Sequence, residues 1–370
     1  MTLTGLTIPF NGLKKQYNNL RNEILNVTDE VLRSGQLIDG NYTVEFENWL
    51  SKKNQSRYAV TCHSGTQALE IIADHYKNIL PRERRNVILP AITYPATANA
   101  FLKSGFNYHQ VNIFDVDNYG ILDTKKFQLF QDNDLVVIVG LYGASVENYI
   151  KNINTGIIIE DAAQHWLADN CRRFGVASAI SFDPTKNLPN YSNGGAVVTN
   201  DLDLVEHARS WRSHGKPNFC SVGTNSRMSE IDCAQLLVKT RYLDLWQHRR
   251  HTIAAYWIEI FTKHGIRCLI DINNVKTHGF QKFVIELDYR NIIKDKLESR
   301  KIECKIHYEK PLCELPAFFS CGNNTTFLSN AASLSRRVLS LPFYPELTDL
   351  EVEYIAEQIV SVYDTSKSRH

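Results

Sequence analysis

Residues 156–164 read GIIIEDAAQ. Three isoleucines in a row, with no polar alternation, mark a strand covered on both faces, as strands of parallel sheets are. Similar apolar runs lie on either side: DLVVIVGLYG (134–143) before it, ASAISF (177–182) and GAVVTN (195–200) after it. Further upstream, YAVTC (58–62) leads into SGTQALEIIADHYKNI (64–79), a helix whose start is marked by Ser64 and Gly65. NVILPA (86–91) leads into TYPATANAFLKSG (93–105), helical after Pro95. Strands that alternate with helices indicate an α/β protein with a mainly parallel sheet.

Helical periodicity runs from Leu13 to about Leu32 through Leu20, Ile24, Val27 and Val31, and the two glycines of SGQLIDGN (34–41) break it. TVEFENWLSKKN (43–54) reads as a second short helix. Met228 to about Phe261 is expected to form one long helix that leads into a smaller domain. There KFVIEL (282–287) is a strand, and RNIIKDKLESRK (290–301) and DLEVEYIAEQIVSVY (349–363) are helices. At 370 residues the chain suits two domains better than one core. The expected division is a large α/β domain, 1–248, and a smaller α+β domain, 249–370.

Apolar residues make up 43% and charged residues 22%, ordinary values for a globular protein. With 41 basic and 40 acidic side chains there is no electrostatic footprint for nucleic acid. The eight cysteines include no Cys-x-x-Cys pair and no zinc-type Cys/His spacing, so they are expected as reduced thiols, with no metal site. MTLTGLTIPFNGLKKQY at the start carries no leader pattern, and no apolar run is long enough for a bilayer. The expectation is a soluble, cytoplasmic protein.

Ligands of open α/β sheets sit at the carboxyl ends of strands. After YAVTC come Ser64, Gly65 and Thr66: an ordinary helix cap, or backbone N–H groups that favour a phosphate. After NVILPA comes Tyr94, a packed aromatic or one that stacks on a flat ligand. After GIIIE comes Asp161, buried at the end of an apolar strand and so in need of a cation. An arginine and a protonated pyridine nitrogen both satisfy it. Lys186 lies in SFDPTKNLPNYSNGGAVVTND (181–201), between two strands. A loop lysine is ordinarily solvated, but one that is desolvated or near a cationic ring has a lowered pKa and is a nucleophile. Ser181 ends the preceding strand and adds a hydroxyl. A phosphate cup, a stacking aromatic, an anion for a ring nitrogen and a lysine are the parts that pyridoxal phosphate asks for.

The chain resembles the DegT/StrS family of pyridoxal-phosphate-dependent nucleotide-sugar aminotransferases, of the aspartate-aminotransferase fold (fold type I). The resemblance runs nearly end to end, through IPFNGLKKQY, SGQLIDGNYTVEFE, SGTQALE, LPAITYPATANAF, IIIEDAAQ, SFDPTKNL with GGAVVTND, NSRMSEIDCAQL, RKIECKIHYEKPL and LSLPFYP. It implies a large domain built on a mainly parallel, seven-stranded type of sheet. It implies that Lys186 holds the cofactor as a Schiff base and moves the proton, that Asp161 pairs with the ring nitrogen and that Gln164 sits by the ring hydroxyl. It implies further that Tyr94 stacks on the ring and that Gly65, Thr66 and Ser181 bind the phosphate. Asn225 would reach the cofactor of a neighbouring subunit, in a homodimer with shared sites, and His307 would lie near the sugar nucleotide.

Where many members have Gly-Glu-Gly-Gly after the lysine, this chain has Ser192-Asn193-Gly194-Gly195, which marks Asn193 as a place where substrate choice differs. Members that dehydrate sugars at C3 carry histidine at the lysine position, so Lys186 favours transamination. The implied reaction is ping-pong: L-glutamate gives its amino group to the cofactor, leaving pyridoxamine phosphate, which aminates a nucleotide-linked 4-keto-6-deoxy sugar at C4. The alternative is C3 amination of a 3-keto sugar. A non-catalytic regulator that keeps the fold is a reading from another class. A nicotinamide dehydrogenase has little support, because no Gly-x-Gly-x-x-Gly follows the first strand.

Overall fold

The computed structural model describes residues 7–82, 85–126, 134–153, 156–322 and 328–367. The opening residues 1–6, part of the stretch read above for a leader, lie outside the described residues. Two helices come first, α1 (Leu13–Ser34) and α2 (Asn41–Lys53). The alternating part follows: β1 (Tyr58–Cys62), α3 (Gly65–Ile79), β2 (Val87–Pro90), α4 (Ala96–Lys103), β3 (Val111–Phe114), β4 (Leu135–Val139), α5 (Glu147–Lys151), β5 (Ile157–Asp161), β6 (Ala177–Ser181) and β7 (Gly195–Thr199). Next are α6 (Leu202–Trp211), α7 (Glu230–Thr240) and α8 (Leu243–Lys263). The rest comprises β8 (Arg267–Cys268), β9 (Val284–Glu286), α9 (Arg290–Ser299), α10 (Ser329–Arg337), β10 (Val338–Ser340) and α11 (Asp349–Lys367).

The first seven strands form one sheet in the order β1-β7-β6-β5-β4-β2-β3. Only β7 runs against its neighbours, pairing antiparallel with β1 and β6. Every residue of β4 and β6 is buried, as the unbroken apolar runs predict. The apolar face of α3, with Ala68, Leu69, Ile71 and Ile72, packs against this sheet. A second core gathers around the antiparallel sheet β10-β9-β8, with Trp257 and Phe261 of α8, Ile355 and Ile359 of α11, and also Ile8, which bridges Ile302. No helix of the described residues is long and apolar enough to cross a membrane.

The single helix expected over Met228–Phe261 is two. The chain leaves the helix at Arg241 and Tyr242, whose side chains bind Glu23 of α1, with the Tyr242 hydroxyl 2.5 Å from Glu23 Oε1. The break lets α7 lie along α1 and α2 while α8 turns toward α11 and the small sheet. Apolar residues continue at helical spacing across the break, so periodicity alone did not reveal it.

Candidate active site

Because β7 is inverted between β1 and β6, Cys62, Ser181 and Gly195 meet at one edge of the sheet, and β5 ends there at Asp161. A cavity of about 350 Å³ opens at this edge. It is lined by Gly65, Thr66, Tyr94, Asp161, Gln164, Ser181, Lys186, Asn193 and His307, nine of the ten residues singled out from the sequence. The tenth, Asn225, does not line it. Asn225 is exposed, bridges Ser213 and accepts from Arg227 at 3.4 Å, on a segment that runs beside the start of α3.

The floor at the first strand end is the N-terminus of α3. The Ser64 hydroxyl accepts from the Gln67 N–H at 3.2 Å and fixes the first turn. Gly65 is required there, since a Cβ would stand 2.7 Å from Ser181 Cβ. The close approach puts the free N–H end of the helix and the Ser181 hydroxyl on one wall, a ready anion cradle.

Asp161 is buried. Its Oδ2 accepts from Thr97 Oγ1 at 2.7 Å, which in turn accepts from Thr93 at 2.8 Å, and its Oδ1 accepts from the Ala163 N–H at 3.3 Å. Among the described residues it makes no ion pair, so the arginine that would have explained it structurally is absent. Gln164 is held at both ends of its amide. Oε1 accepts from the Tyr142 N–H at 2.8 Å and Nε2 donates to the Tyr308 hydroxyl at 3.1 Å. Tyr94 is more than half exposed, with its ring 6.1 Å from that of Tyr308.

Lys186 is half-buried and opens onto the cavity. Burial pushes its amine below the ordinary lysine value, against the opposing pull of Asp183 and Asp161. His307 Nδ1 lies 2.9 Å from Ser340 Oγ. Burial, with the lysines Lys282, Lys305 and Lys186 beside it, pushes its imidazole down to about 2, so the ring is neutral. The sequence reading missed Thr97, which is buried behind the cavity and donates to Asp161, and the cavity residue Lys282. Thr97 stands one helical turn after Thr93. Lys282 was read only as the start of a strand, although a lysine inside the apolar run GFQKFVIEL was a signal.

These residues fit the group that the resemblance implies. An amine, a buried carboxylate with no ion pair among the described residues and a helix N-terminus share one cavity, and they answer an aldehyde, a protonated ring nitrogen and a phosphate.

Known proteins agree with the geometry. A pleiotropic regulatory protein of Geobacillus stearothermophilus is 30% identical over 97% of this chain and 99% of its own. A dTDP-3-amino-3,6-dideoxy-alpha-D-galactopyranose transaminase of Aneurinibacillus thermoaerophilus is 31% identical over 95% and 98%. Among solved structures, the X-ray crystal structure of S. venezuelae DesV in complex with a ketimine intermediate superposes with a TM-score of 0.85, at 28% identity, covering 96% of this chain and 98% of that one. The sequence profile of one family matches residues 18–360, and the chain belongs to it: the DegT/DnrJ/EryC1/StrS aminotransferase family.

Proposed function

We propose that this aminotransferase moves the amino group of L-glutamate to the keto group of a nucleotide-linked sugar, using pyridoxal phosphate held at Lys186. The observation that supports this most directly is Asp161, a buried carboxylate that shares a cavity with an amine and has no basic partner among the described residues. When bound, pyridoxal phosphate supplies an aldehyde for an amine and a ring that takes up carbanion charge.

The chain's own residues do the rest. Asp161 keeps the proton on the ring nitrogen. Gly65, Thr66 and Ser181 hold the phosphate, Tyr94 covers the ring, and Gln164 lies by its hydroxyl. The Lys186 amine, deprotonated more readily because it is buried, takes the α-proton of the donor and delivers a proton to the receiving carbon. Asn225, exposed beside the start of α3, would reach the cofactor of a second copy, so the working unit is a homodimer with shared sites. His307 and Asn193, on the cavity wall, contact the sugar nucleotide. The eight free cysteines support a cytoplasmic place of work.

The acceptor read from the sequence is a 4-keto-6-deoxy sugar aminated at C4. The relative named for a 3-amino sugar supports the C3 reading. The relative named as a regulatory protein keeps the non-catalytic reading in play. One set of measurements separates all three. The purified protein should be yellow with pyridoxal phosphate and bleach on addition of glutamate. NMR of the product formed from 4-keto and 3-keto nucleotide sugars then gives the position. A protein that pyridoxal phosphate does not colour overturns the enzyme reading.

A further inference from the structure

Lys282 is a second lysine in the cavity and has no role in the reading above. It is 7% exposed and lines the cavity together with Lys186 and His307. It is also fixed in place. The Gln281 amide donates through Nε2 to the Thr185 carbonyl at 2.7 Å and accepts at Oε1 from Lys282 Nζ at 2.7 Å. The second amine is thereby tied to the loop that carries the first. Among the described residues Lys282 makes no ion pair. Of the charges that act most strongly on it, Lys186, Arg250 and Lys305 are cationic and Asp183 is anionic. Asp183 is itself engaged by the Thr185 N–H and hydroxyl, at 2.9 and 2.6 Å. Burial, with Lys186 next, holds the Lys282 amine far below the ordinary lysine value.

On the far side of the two lysines lies a chamber of about 40 Å³, which they line with Arg250. The Arg250 guanidinium is buried; among the described residues it donates to the carbonyls of Phe280 and Phe343, at 3.3 and 3.1 Å, and its Nε has no partner. Glu346 lines the same chamber and acts on Arg250, and Asp161 and Asp183 line the larger cavity, but among the described residues none of these carboxylates pairs with Lys282. A buried cation without an anion is costly, and an anion that enters removes that cost.

We propose that Lys282 forms the subsite for a carboxylate of the substrate pair, carried by the amino donor or by a sugar acid. The inference rests on the aminotransferase reading above. Two sources offer this chemistry, the carboxylates of glutamate and the C6 carboxylate of a uronate sugar, and the test separates them.

Lys282→Met and Lys282→Arg are loaded with pyridoxal phosphate, and cofactor absorbance confirms loading; Lys282→Gln is the neutral variant if the methionine variant does not load. The readouts are the KM for glutamate, the inhibition constant of glutarate, and the KM for keto sugars with and without a C6 carboxylate. Loss of a charged hydrogen bond should weaken carboxylate binding about 10–100-fold in Lys282→Met, with Lys282→Arg within a few-fold of wild type. Weaker glutamate and glutarate binding assigns the carboxylate to the donor. Weaker binding of the uronate sugar alone assigns it to the acceptor. Unchanged binding of all of them, or a fall in kcat alone, overturns the proposal. A wild-type protein that takes up no pyridoxal phosphate defeats the aminotransferase reading instead, so the two failures are distinguishable.

Discussion

Glu160 and Asp161 are consecutive carboxylates at the end of β5, and the pleat sends them to opposite faces of the sheet. Glu160 is fully committed. It accepts from Arg173 Nη1 at 3.0 Å and from the Phe174 and Gly175 N–H groups at 2.7 and 2.8 Å. His165 Nε2 lies 3.0 Å away, and because Nδ1 accepts from the Gly140 N–H, Nε2 is the nitrogen that donates. Burial alone would raise the Glu160 pKa, but Arg173 and His165 outweigh it and hold the group at about 2. Among the described residues Asp161 receives a threonine hydroxyl and one N–H and no ion pair, and it lines the cavity. Two lysines differ in the same way. Lys239 is buried, donates to the Pro189 carbonyl at 2.6 Å and lies 3.4 Å from the centre of the Tyr191 ring, whereas Lys186 lines the cavity. A buried charge whose partners are all present belongs to the scaffold. One left short of partners at a cavity is held for a ligand.

Mutations can break this contrast, and the largest effect belongs to Lys186. Lys186→Ala should lose transamination by several orders of magnitude and still fold; near-normal turnover would end the assignment. Asp161→Asn should load pyridoxal phosphate but react about 10²–10³-fold more slowly, with stability within about 1 kcal/mol of wild type. Glu160→Gln should do the reverse and destabilise the fold by about 3–5 kcal/mol, read from denaturant midpoints, because Arg173 is left buried without its anion. The folded pKa of Glu160 is depressed, from 4.5 to about 2, so its stabilisation is present above about pH 4.5 and fades as pH falls toward 2. Wild type and Glu160→Gln should therefore converge across that window; a constant gap would show that charge is not the cause. Ser64→Ala, which removes one helix cap, should cost only about 1 kcal/mol by the same measurement.

The sequence was most legible where one strand meets one loop. Unbroken apolar runs placed the strands, and their carboxyl ends then pointed to Gly65, Tyr94, Asp161 and Ser181. Lys186 became readable only through these neighbours. What the sequence hid depends on distant chain segments. The break at Arg241 and Tyr242 is fixed by Glu23 on another helix. Lys282 looks like the polar start of a strand until Gln281 is seen to reach Thr185. Thr97 looks like a helix residue until its hydroxyl meets Asp161.

The inverted strand β7 has one more consequence, for the cost of assembling the site. Residues 182–194, with Lys186 among them, are closed at both ends by the pairing of Ser181 with Gly195. Loop-closure entropy grows with the logarithm of length, so this short loop costs about 2 kcal/mol less to close than the stretch that brings Lys282 back to Lys186. The lysine that would bear the cofactor is placed by its nearest neighbours in the chain, and the proposed carboxylate subsite only once the small sheet has docked.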